Sequence, residues 1–356
     1  MYKPFRGNDK FLSIIFIFVF ISVIIVKTSA KVTQDNLYDT KLKAYEYMEE
    51  YMKVIRDYKY ELGIDIADED IHKTGMIGEY YSGITTSLGK IEAKRTSANP
   101  DMAALVVELL YKAGVKSGDR IGANFSGSFP ALNLAVLAAS KAMNLDCVYI
   151  SSVGSSNYGA NNPKLTFPDM VLKLTEEGLL DNPGVAFSLG GKDDLGLEMD
   201  ESIKEEIINR LEAKGLRLIL PKDYNHDINQ RMRLLEENGD LKCFVNVGGN
   251  VISLGNSENS FYFGQGLLVG KSVPITKDSG LIEIYMNKGI PVIHLLNLKK
   301  LTVDYNLEYD PLILPNKGTS ALFVELSYNK IICIVSLIIS VLGLIFYKRK
   351  YVRMTY

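Results

Sequence analysis

Hydrophobic positions divide the chain into three kinds of segment. Two uncharged runs, Phe11–Val26 (FLSIIFIFVFISVIIV) and Ile331–Tyr347 (IICIVSLIISVLGLIFY), approach or match the roughly 17–25 residues that cross a bilayer. Between Leu37 and Leu62, the positions Leu42, Tyr45, Met48, Met52, Ile55 and Leu62 recur at helical spacing and predict a helix with one apolar stripe. That stripe reads as packing on its own domain, since it lacks the three or four clean heptads of a coiled-coil seam. From Asn99 onward, short apolar runs alternate with segments of helical period. Asn99-Pro100-Asp101 supplies an N-cap, a first-turn proline and a dipole-favouring acid for the helix DMAALVVELLYKAG, which Gly114 ends.

DRIGANF and DCVYISS flank the helix ALNLAVLAASKAM. GVAFSLG follows DMVLKLTEEGLL, LRLIL follows ESIKEEIINRLEAKG, KCFVNVGG follows NQRMRLLEENG, and IPVIHLLNL follows GLIEIYMNKG. Alternation of this kind predicts right-handed βαβ units on a mostly parallel sheet. The expected fold is therefore a doubly wound, Rossmann-like α/β domain over residues 64–320, preceded by a membrane-proximal helix at 32–63. Transmembrane segments at 11–26 and 331–347 flank it.

Charge adds an orientation. Lys348, Arg349, Lys350 and Arg353 follow the second run while Lys330 alone precedes it, so the positive-inside bias puts residues 348–356 in the cytoplasm. Two spans return residues 1–10 to the same side and leave the central domain outside it. A signal-peptide core is the alternative for the first run, with Thr28–Ala30 as the small-residue cleavage site. The run exceeds the ~7–15 residues usual there, and an uncleaved anchor is expected. Of 40 basic and 42 acidic side chains, residues 32–330 hold 31 and 41, a net of −10. A bulk basic field for nucleic acid is thereby excluded. Three cysteines form no disulfide framework, and Cys147 and Cys243 read as small buried hydrophobes.

Ligands of open parallel sheets gather at the carboxyl ends of strands. Four such ends are rich in Ser, Gly and Asn: Ser126, Gly127 and Ser128 in NFSGSFP; Ser151 to Ser156, including Ser152 and Gly154; Ser188 to Gly191, including Gly190, with Lys192 following; and Asn246 to Asn250, including Gly248 and Gly249. Backbone amides in such loops can hold an oxyanion, yet tight βα turns use the same residues without any ligand, and both readings stand. Named motifs fail. GQGLLVGKS has Gln265 where a phosphate loop has its first glycine, no G-x-G-x-x-G follows the first parallel strand, and NFSGSFP carries Asn124 and Ser128 where a nucleophile elbow has glycines. No cofactor is expected.

A hydroxyl nucleophile needs a base. Of His72, His226 and His294, the last ends IPVIH at the same sheet edge, so Ser126 or Ser128 with His294 is the candidate catalytic pair, against a buried structural histidine. His72 lies amid Asp65, Asp68, Glu69, Asp70 and Glu79 without a second histidine or a ligand spacing, and reads as part of a solvated acidic loop rather than a metal site.

The stretches TGMIGEYYSGITTSLGKIEAKRTSANPD, SGSFPALNLAVLAASKAM, ISSVGSSNYGANNP, SLGGKDDLG and FVNVGGN, in order over roughly residues 70–255, resemble the poly-γ-glutamate system proteins found with bacterial poly-γ-glutamate synthesis and export machinery. Tyr158 and Asn162 depart from that pattern, where tryptophan and aspartate are usual, and the second departure removes a carboxylate that acid–base or metal chemistry would use. The resemblance implies a part in making, exporting or handling an extracellular γ-linked glutamate polymer, with synthase or export subunits as partners, and brings no catalytic residues; the failed motifs favour a non-catalytic, membrane-anchored accessory component. The alternatives are a hydrolase or transferase acting on γ-glutamyl amides and an external receptor for a small anion. A domain of −10 repels a polyanion at long range. Contact is then local, through loop amides, Asn161 and Asn250, and cations such as Lys94, Arg95 or Lys192, which suits a chain end or a single glutamyl unit. Homo-oligomerisation stays open.

Overall fold

The computed structural model describes residues 9–256, 263–270 and 274–351, so residues 1–8 and 352–356 of the expected cytoplasmic ends lie outside the described residues. Its helices are α1 (Asp9–Thr28), α2 (Tyr38–Glu61), α3 (Ile91–Ser97), α4 (Asp101–Lys112), α5 (Pro130–Ala142), α6 (Phe167–Glu176), α7 (Glu201–Ala213), α8 (Tyr224–Glu236), α9 (Val251–Leu254), α10 (Leu281–Asn287), α11 (Leu298–Asp304) and α12 (Lys330–Tyr351). Its strands are β1 (Lys31–Gln34), β2 (Thr85–Ser87), β3 (Arg120–Phe125), β4 (Asp146–Ser152), β5 (Ser155–Ser156), β6 (Ala186–Ser188), β7 (Cys243–Val247), β8 (Gly266–Leu268), β9 (Val292–Leu295) and β10 (Val324–Ser327). They form two compact units, one of residues up to Asp35 with those from Val324, the other Asn36–Phe323.

In the smaller unit, α1 and α12 are each long and apolar enough to cross a membrane. Ile14, Phe16, Phe20, Ile331 and Leu337 are exposed, as on a helix whose solvent is hydrocarbon. Phe11 stacks on Tyr347 with ring centroids 6.1 Å apart. The antiparallel ladder of β1 and β10, from Lys31↔Ser327 to Gln34↔Val324, sets the end of α1 level with the start of α12. Strand β1 also shortens the helix expected at 32–63, which begins only at Tyr38.

The larger unit is built on a six-stranded sheet in the order β6-β4-β3-β7-β9-β8, parallel except for β8 against β9. Alternate side chains feed opposite cores. Ile121, Ala123, Phe125, Tyr149, Val245 and Ile293 meet α2, α4, α5 and α6 on one face. Val148, Ile150, Phe244 and Val292 meet α8, α9 and α10 on the other. The stripe of α2 goes into the first core, with Met48 and Ile55 fully buried. From β3 the chain steps outward to β4 and β6, then returns to β7 on the other side of β3, so strand order reverses between β3 and β7.

Two expectations change, and one stretch left without a role gains one. LRLIL is no strand: Leu218 makes a single parallel bridge to Phe187, because β6 is three residues long and Pro221 follows. The phosphate-loop look-alike instead supplies β8, while its Lys271 and Ser272 lie outside the described residues. The acidic loop is not uniformly solvated, since Asp70 is buried and its carboxylate accepts from Thr74 N (3.0 Å) and Gly75 N (2.7 Å).

Candidate functional site

A cavity of about 850 Å³ opens at the carboxyl ends of the strands around the reversal between β3 and β7, the position favoured for ligands in open α/β sheets. Of the residues singled out from the sequence, Lys94, Ser126, Ser128, Ser152, Gly154, Ser156, Gly190, Gly191, Lys192, Gly249 and Asn250 line it. Gly127, Gly248, Asn161, Arg95 and His294 do not.

The loop after β3 is held by its own hydroxyls. Ser126 Oγ accepts from Ser128 N at 3.2 Å, Ser152 Oγ accepts from Gly127 N at 3.3 Å, and Ser128 Oγ accepts from Ser156 N at 3.0 Å. The amides of Gly127 and Ser128 are thus engaged within the protein. Gly127 is there for close packing: a Cβ would stand 3.0 Å from the carbonyl oxygens of Ser152, Val153 and Gly154. Pro130 opens α5 directly behind, where its missing N–H costs nothing.

Lys94, on α3, is 2 % exposed. Its Nζ donates to Ser128 O and, at 2.7 Å, to Ser156 Oγ, and lies 3.8 Å from the Phe129 ring centroid. Among the described residues no carboxylate pairs with it, and burial pulls the ammonium down to about 7. Arg95 turns away to grip Asp310 with two bonds, Nε–Oδ1 at 2.7 Å and Nη2–Oδ2 at 2.5 Å, fixing α3 to the segment after α11. The other cations of the cavity are the exposed Lys90, Lys192 and Lys299, and Glu198 is the one carboxylate among the lining residues. Within a domain of net −10 this crevice is locally positive.

A buried polar layer supports it. Asn124, Asn246 and His294 are register partners on β3, β7 and β9. Arg231 of α8, 2 % exposed, donates to Asn124 Oδ1 and Asp227 Oδ1, both at 2.8 Å, and to Asp194. Asn124 Nδ2 in turn donates to Asn250 Oδ1 at 3.0 Å, and Asp194 Oδ1 accepts from Gly190 N at 3.1 Å. One guanidinium therefore ties β3 to the loop after β6 and, through Asn124, to the loop after β7. Asp193 and Asp194 hold φ of 55° and 60°, a left-handed conformation that this grip sustains. Burial raises the Asp227 carboxyl above its usual range, with Arg231 opposing the shift.

The expected serine–histidine pair is not assembled. His294 is 1 % exposed, its Nδ1 bonds Asn246 Nδ2 at 3.0 Å, and burial lowers its pKa to about 4. It shares the register of Asn124, two residues or about 7 Å before Ser126 along the sheet. Asn161 fastens the chain at 79–85, accepting from Glu79 N (2.9 Å) and donating to Thr85 Oγ1 (3.0 Å). Sequence reasoning missed Thr86, Ser87, Lys299 and Tyr309 as lining residues and Arg231 as the support. The i, i+4 spacing of Asp227 and Arg231 was the one signal available for the latter. Compared with protein-family models, curated proteins and solved structures, the chain matches none.

Proposed function

We propose that this chain is a two-span protein of the bacterial cell membrane whose Rossmann-like domain lies outside the cytoplasm and captures a small carboxylate-bearing ligand. In this reading it serves poly-γ-glutamate synthesis or export, and the ligand is a γ-glutamyl unit or the end of a polymer chain. The observation that carries it is the positive crevice at the strand reversal, with Lys90, Lys192 and Lys299 at its wall inside an otherwise acidic domain. Exposed lysines around a concave polar site raise the local concentration of an anion and orient its carboxylates. The acidic remainder keeps a long polyanion from lying along the surface, so an end is favoured over the backbone. Contact with synthase or export subunits rests on the sequence resemblance.

Calorimetry on the full-length protein in detergent, titrated with short γ-linked glutamate oligomers, tests the reading. Binding is expected, and removing both Lys192 and Lys299 should weaken it roughly tenfold, the equivalent of about 1.4 kcal/mol. Absence of heat at millimolar oligomer overturns it.

A further inference from the structure

Ser156 is one of the two residues of β5, which pairs with β2. Its hydroxyl lies at the wall of the crevice, 2.7 Å from Lys94 Nζ, and its N–H is fixed on Ser128 Oγ at 3.0 Å. Lys94 is held from the other sides by the Ser128 carbonyl and the face of Phe129. Gly89 passes close by: a Cβ there would stand 2.8 Å from Ser156 Oγ, in the space beside the hydroxyl.

We propose that Ser156 and Lys94 form a nucleophile–base pair that acts on an acyl group bound in this crevice, passing through an ester on Ser156. The substrate class rests on the anion-binding reading above: an amide or ester whose acyl part carries a carboxylate for the exposed lysines. Lysine serves as a base when it is neutral near physiological pH, and a buried amine with no carboxylate partner is in that condition. Burial brings Lys94 to about 7. A lysine kept for charge would have an anion beside it; the partners here are a hydroxyl, a carbonyl and a ring.

The chemistry balances with water as the sole co-reactant. Neutral Lys94 takes the Ser156 hydroxyl proton as Oγ bonds the carbonyl carbon. Collapse of the tetrahedral adduct breaks the bond to the leaving amine or alkoxide, which takes that proton from Lys94. Water then attacks the ester, giving a proton to Lys94, and the carboxylic acid leaves as Ser156 Oγ recovers a proton. The histidine foreseen for this role is replaced by a lysine 62 residues away from its serine in the chain.

The full-length protein in detergent is incubated with a small alkyl fluorophosphonate, which phosphonylates activated serine hydroxyls, and the adduct is mapped by peptide mass. We expect one adduct, on Ser156, forming faster as pH rises through about 7. It should disappear in Ser156→Ala and slow at least a hundredfold in Lys94→Met. No adduct on the wild-type protein at pH 9, or one that maps to a residue other than Ser156, overturns the pair without reliance on any variant's folding. Oligomer binding without an adduct removes the pair and leaves the crevice reading intact. An adduct without oligomer binding supports the pair and removes the proposed substrate class.

Discussion

Arg231 Nη1 donates to Asn124 Oδ1 at 2.8 Å, joining the middle of α8 to the central strand of the sheet. The same guanidinium holds Asp227 and Asp194, so one side chain compensates two buried carboxylates and fixes the loop after β6 to β3 at the crevice. Removing it strands both anions. Arg231→Met should cost about 3–5 kcal/mol, the range for breaking a buried pair by deleting one partner. A fall of roughly 10 °C in the thermal midpoint is the expected reading. Arg231→Lys keeps the charge but not the three-way fork, and should still lose several degrees. A wild-type midpoint in the methionine variant would show that the network carries no stability.

His294 gives the acid side of the stability profile. Its folded pKa of about 4 lies below the unfolded value of 6.5, so the unfolded chain binds the extra proton between those values. Stability therefore falls as pH drops from 6.5 to 4, by about 3 kcal/mol. Denaturant titrations at pH 7, 5.5 and 4 should show this slope, and His294→Gln should flatten it.

Lys94 acts in a higher window with the same sign. Its folded value of about 7 is below the 10.5 of a free lysine, so stability rises with pH between them and the penalty is complete below 7. Lys94→Met should be more stable than the parent at pH 6, with the difference shrinking by pH 10. A constant difference across that range would mean the amine is not desolvated.

Gly127→Ala tests the stacking of two crevice loops. The added methyl meets three carbonyl oxygens at 3.0 Å, and overpacking against backbone costs about 1–3 kcal/mol. A thermal scan should show the loss; an unchanged midpoint would mean that the loops move apart freely.

Topology is accessible directly. If the proposed topology holds, with residues 36–323 outside the cytoplasm, protease added to intact spheroplasts should digest that domain. Full protection, with digestion only after lysis, would put it in the cytoplasm and remove the exported ligand from the proposed function.

Much of the scaffold was legible because it depends on local pattern. The apolar runs become α1 and α12, the stripe of Met48, Met52 and Ile55 becomes a buried helix face, and alternating apolar runs give the parallel strands β3, β4, β6, β7 and β9. LRLIL failed because an apolar run specifies a strand only where a neighbour is long enough to pair with it. The crevice was foreseen as a sheet edge, and eleven of the singled-out residues line it. The wall formed by Thr86, Ser87 and Lys90 was not foreseen, since nothing in a polar, glycine-containing stretch states what it folds over.

The sequence by itself determined which residues are apolar, where the chain turns and which strand ends are polar, because those properties are carried within a few residues. Tertiary structure alone decided that His294 sits level with Asn124 rather than with Ser126, and that Ser156 meets Lys94. Strand register and the packing of α3 bring together side chains far apart in the chain. A shift of two residues along a strand moves a group by about 7 Å, more than the reach of a hydrogen bond.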